Sequence, residues 1–99
     1  MDSKQKIRYM ILKEIKEENF KFLSEDRFLE LNLGITWDAF VDQVRFLDRE
    51  GYITKPLYGD DTLYSLTSEI TEKGENYLTE NSTLSKFYKG LKEFKSWLL

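Results

Sequence analysis

The side chains able to do chemistry in this 99-residue chain are few, and the missing types decide as much as those present. There is no histidine and no cysteine. That removes the usual general base near neutral pH, the commonest metal ligand, and all thiolate chemistry. Ser24, Ser65, Ser68 and Ser82 therefore have no imidazole to activate them, and no lysine stands in a serine–lysine motif. No glycine-rich segment has the spacing of a phosphate loop or a dinucleotide-binding turn. Asp60 and Asp61, with Glu69 or Glu72, offer oxygens to a divalent cation, but adjacent carboxylates on a turn are more often solvated. No enzyme, cofactor, metal site or small-molecule substrate is expected.

A second set of residues suits recognition instead. Trp37, Asp38, Asp42, Gln43, Arg45 and Arg49 lie within one helical stretch, with Lys55 just beyond it. Gln43 has the geometry to read adenine and an arginine to read guanine, whereas a carboxylate finds a partner only in the cytosine amino group. Asp38 and Asp42 therefore count against a phosphate backbone and for a basic protein surface. Tyr9, Tyr58 and Tyr64 with Trp37 could stack on bases, but no basic groove runs between them. Closing the edges of a small core is their commoner role.

The elements that would position these groups follow from spacing. Ser3 caps a first helix over about 4–18, whose Ile7, Ile11 and Ile15 repeat on one face, with Asn19 closing it. Phe20 and Phe22 are expected to anchor the next loop to the core. Ser24 caps a short helix over about 24–31, with Phe28, Leu29 and Leu31 inward. Thr36 caps a third helix, 36–50, and Ile35 can staple onto Phe40. Its apolar stripe is Trp37, Phe40, Val41, Val44 and Leu47, so Trp37 belongs to both the stripe and the solvent-side candidates. Gly51 ends it, and a hairpin over about 52–66 follows. Tyr52-Ile53 opens the first strand, Gly59-Asp60-Asp61 makes the reversal, and Leu63 to Leu66 returns.

Thr71 caps a fourth helix over about 71–80, in which Gly74 implies close packing against a neighbouring helix. A last helix over about 83–98 carries Leu84, Phe87, Leu91, Phe94 and Leu98 at the spacing of a packed seam, with Tyr88, Trp97 and Leu99 beside or beyond it. That stripe either covers the chain's own core beside the first helix or joins two copies in a homodimer. Gly90 lies within it, and Lys86, Lys89, Lys92 and Lys95 make it basic.

Ninety-nine residues fit a single domain over 1–99, enough to bury roughly two thirds of the unfolded surface. The net charge of −3 is unevenly spread: residues 19–81 carry −7, and residues 82–99 carry +3. Only the ends of the chain could attract a polyanion. There is no long apolar run and no signal-peptide core, so a cytoplasmic protein without a membrane segment is expected.

A helix followed at once by a hairpin is the order of a winged helix-turn-helix domain: α+β, mainly α, with three N-terminal helices, a two-stranded wing and two C-terminal helices. The chain reads KIRYMILKEIKE at 6–17, FLDREGYI at 46–53, and LTSEITEKGENYLTENSTLSKFYKGLKEFKSWL at 66–98, with Gly74, Tyr77, Tyr88 and Trp97 in place. On these stretches the whole chain resembles the YjcQ-like family of small proteins from Gram-positive bacteria and their phages. The resemblance implies a mainly helical winged-helix fold and brings no catalytic residues. Two functions follow: a transcription-related module binding double-stranded DNA through the third helix and wing, or a protein-interaction module that keeps the scaffold without DNA.

Overall fold

The computed structural model describes residues 3–60 and 62–98; Asp61 of the turn and Leu99 lie outside them. Helices α1 (Ser3–Lys16), α2 (Glu25–Leu31) and α3 (Trp37–Arg49) precede a hairpin of β1 (Leu57–Tyr58) and β2 (Leu63–Ser65). Helices α4 (Glu72–Glu80), α5 (Ser82–Phe87) and α6 (Leu91–Leu98) follow. This is a mainly α fold with a helical N-terminal half and a two-stranded antiparallel wing, the winged helix-turn-helix architecture.

The core forms where the apolar faces of α1 and α3 meet. Met10, Ile11 and Leu12 of α1 and Phe40, Val44 and Leu47 of α3 are fully enclosed. Phe28 of α2 stacks into the same cluster, 4.7 Å from Phe40 and 5.2 Å from Trp37 between ring centroids. Thr36 caps α3 by accepting from the Ala39 N–H at 3.0 Å, and Thr71 caps α4 through the Gly74 N–H at 3.2 Å. Ser24 occupies the cap position of α2 without making the side-chain bond.

Several boundaries and placements differ from expectation. α1 stops at Lys16, and Glu18 rather than Asn19 takes the left-handed conformation, at φ 64°. Asn19 instead donates from its amide to Glu14 Oε1 at 2.7 Å. Phe20 is buried, but Phe22 is exposed, because its own φ of 60° turns the chain away from the core. Leu29 also faces solvent.

The wing is shorter than 52–66. Ile53 does not pair with the returning strand; it bridges Ile70, and the hairpin proper begins at Leu57. Leu23 bridges Leu66 on the opposite edge of β2 from β1, so the loop after α1 contributes a third, single-residue strand position. Gly74 does need to be glycine, although not for a helix: a Cβ there would lie 2.3 Å from the Tyr52 carbonyl oxygen and 2.6 Å from Ile70 Cγ1.

The expected last helix over 83–98 is two helices. α5 ends when Tyr88 becomes extended, and Gly90 reverses the chain at φ 100° before α6 starts. The break lets Tyr88 and Trp97 turn back onto α1. Tyr88 meets Tyr9 at 5.7 Å and Trp97 at 5.6 Å, and Lys6 Nζ donates to the Trp97 carbonyl at 2.8 Å. Among the described residues, no helix is long and apolar enough to cross a membrane.

Candidate interaction surface

The exposed ridge of α3 is built by helical spacing. Asp38, Asp42, Arg45 and Arg49 are four, three and four residues apart, which places them on one face, and all four are exposed. The ridge is split by charge. Its N-terminal half carries the two aspartates, its C-terminal half the two arginines, and exposed Lys55 lies beyond Gly51.

Two residues expected on the solvent side are not there. Trp37 is 7% exposed: its indole N–H donates to Thr62 Oγ1 at 3.0 Å, and its ring stacks on Phe40. Gln43 is 8% exposed, and its Oε1 accepts from Arg8 Nε at 2.7 Å. The Arg8 guanidinium lies 3.7 Å from the centroid of the Phe46 ring. Trp37 thus takes the place in the apolar stripe that spacing also gives it, whereas Gln43 leaves the solvent side altogether. Each is drawn in by a partner distant in sequence, which spacing does not disclose.

The wing end of the ridge holds residues that sequence reasoning missed. Tyr58 donates its hydroxyl to Asp48 Oδ2 at 3.1 Å, and the Arg45 and Lys55 cations lie 5.5 and 6.0 Å from its ring. Burial, reinforced by the Asp48 charge, pushes the Tyr58 hydroxyl up to about 12. Arg45, Asp48, Tyr58, Gly59 and Asp60 line a shallow cleft of about 320 Å³ between helix and wing. Spacing carries no signal for this pairing, because Asp48 on the helix and Tyr58 on the wing are brought together only by the turn between them.

The C-terminal stripe divides likewise. Leu84 and Phe94 are buried in the chain's own core, and Leu91 and Leu98 pack against it partly covered. Phe87 alone of the five is largely exposed. The continuous seam expected over 83–98 is absent, because Gly90 turns α6 away from the line of α5. Among the described residues, no group of three or more aspartates or glutamates is placed to hold a metal ion. The candidate pairing of Asp60 with Asp61 involves a residue outside those described.

The family model for the YjcQ protein matches residues 9–97, nearly the whole of this architecture. The chain belongs to the YjcQ family. It is 52% identical over 98 residues to a Bacillus subtilis (strain 168) protein described as "Uncharacterized protein YjcQ", covering 97% of this chain and 98% of that one. The solution NMR structure of the YjcQ protein from Bacillus subtilis superposes with a TM-score of 0.60 at 49% identity, over 78% of this chain and 94% of that chain. The winged-helix architecture is therefore shared with a solved member of the YjcQ family.

Proposed function

We propose that the protein is a protein-interaction module on a winged-helix scaffold, and that the charge-split ridge of α3 meets a partner of complementary charge. The observation that carries this reading is the state of the N-terminal half of α3. On helix-turn-helix scaffolds, that end of the recognition helix approaches the base edges. Here it offers Asp38 and Asp42 outward, while Trp37 and Gln43 are turned in. Two carboxylates at that depth repel a duplex and attract lysine or arginine on a protein.

A second reading, double-stranded DNA contacted in a transcription-related role, is favoured by Arg45, Arg49 and Lys55 at the wing end. Fluorescence anisotropy with a short duplex at low salt separates the two. The protein-partner reading expects no saturable binding. Binding that weakens steeply with salt, and is lost in the Arg45→Glu/Arg49→Glu variant, would replace it with the DNA reading. A photo-crosslinking residue at position 38, introduced in the source cells, is expected to yield a discrete protein adduct that Asp42→Lys abolishes.

A further inference from the structure

Lys86, Lys89, Lys92 and Lys95 are all exposed along the elbow formed by α5 and α6, and Glu93 is the one carboxylate among them. Among the described residues, none of these four ammonium groups makes a hydrogen bond, an ion pair or a ring contact. Several cations elsewhere are engaged. Lys6 holds the Trp97 carbonyl, Lys13 pairs with Glu17 at 3.0 Å, and Lys73 holds the Glu50 carbonyl. Positive charge so closely spaced and left unneutralised draws an anionic partner.

The fold sets these charges around an exposed ring. α6 buries Phe94 and leaves Lys92 and Lys95, three residues apart, side by side on its outer face. The Lys95 stem runs past Gly34, where a Cβ would stand 2.8 Å from its Cγ. Lys86 closes α5, and Lys89 follows in the extended link. Between them Tyr88 turns inward and donates its hydroxyl to Glu14, while Phe87 stays 49% exposed.

We propose that the elbow binds single-stranded nucleic acid, its lysines on the phosphates and Phe87 stacked on a base. A duplex keeps its bases paired and gives the ring nothing to stack on. The carboxylates of an acidic peptide would meet the lysines but leave the ring equally idle. An anionic membrane rewards several inserted apolar side chains. Here Leu84 and Phe94 are enclosed, and Leu91, Trp97 and Leu98 pack on the core, so Phe87 stands alone. This inference does not rest on the α3 ridge.

The test is fluorescence anisotropy with labelled oligothymidylate and oligouridylate of about twelve nucleotides, in separate arms, over a range of salt. Saturable binding below about 200 µM protein at low salt is expected, and the tighter arm names the class of strand. Four phosphate contacts give log K a slope of about −2.8 against log salt, which Lys89→Gln/Lys92→Gln should halve to about −1.4. Phe87→Ser, a surface change, should weaken binding about tenfold and keep the slope. Arg45→Gln/Arg49→Gln should leave the slope unchanged, which separates this result from any at the α3 ridge. No binding of either strand, equal affinity for a duplex of the same length, an unaltered slope in the lysine variant, or unaltered affinity in Phe87→Ser would overturn the assignment. Binding to phosphatidylserine vesicles alone would overturn it too and give the elbow to a lipid surface.

Discussion

Gln43 shows how one side chain can change a surface. From spacing alone it belongs beside Asp42, where an amide could read a base. In the fold, its oxygen accepts from Arg8 at 2.7 Å, and Arg8 in turn lies over Phe46. A guanidinium in α1 thus removes the single neutral reading group from the ridge of α3. Tyr58 is the opposite case, a wing residue that becomes part of the ridge through Asp48. Its proton is held more tightly in the fold than in the unfolded chain, with the pKa raised from 10.0 to about 12. The stability this contributes is fully present below pH 10 and fades as pH rises towards 12, because the unfolded chain ionises first. Tyr88, hydrogen-bonded to Glu14 and largely buried, is shifted in the same direction. Urea midpoints at pH 9 and pH 11 are therefore expected to fall less in Tyr58→Phe than in the parent chain. An equal fall in both would mean that the Tyr58–Asp48 bond is not held in solution.

Among the elements, Gly90 separates two architectures by the sign of one substitution. In a continuous helix over 83–98, Gly90→Ala would stabilise by about 0.5–1 kcal/mol. In the observed fold Gly90 sits at φ 100° with nothing near the position of a Cβ, so the substitution meets open space but a strained backbone. Gly90→Ala is therefore expected to destabilise by about 1–2 kcal/mol in urea unfolding. The same residue marks where the sequence stops being legible. The 3-4-3-4 apolar spacing of Leu84, Phe87, Leu91, Phe94 and Leu98 fits one helix, and a lone glycine inside it reads as a local weakness. The contacts made across the break are tertiary: Tyr88 meets the Tyr9 ring of α1, Trp97 packs on Tyr88, and Lys6 of α1 lies over the Trp97 ring. By contrast, α3 and α4 were legible because both carry their own start signals, Thr36 and Thr71, and both threonines cap as expected. The wing was legible as a reversal around Gly59. Its register was not, because Ile53 finds its partner in Ile70, beyond the returning strand.

At the scale of the whole molecule, α1 packs on α3, α4 and α6, so apolar residues from all parts of the sequence are drawn into one core. Self-association would need apolar area left outside that core. Little is available on the C-terminal stripe. A stable dimer needs roughly 800 Å² from each partner, whereas Leu84 and Phe94 are spent inside the chain and Phe87 is exposed without a neighbouring large apolar residue of that stripe. The chain is expected to sediment as a monomer at about 100 µM, above the range in which a functional dimer would form. Phe94→Ala should cost about 3–5 kcal/mol of stability through the cavity it leaves, while Phe87→Ser should change neither mass nor midpoint appreciably. A dimer at that concentration, dissociated by Phe87→Ser, would instead make Phe87 the centre of an interface and assign the basic α5–α6 elbow to self-association.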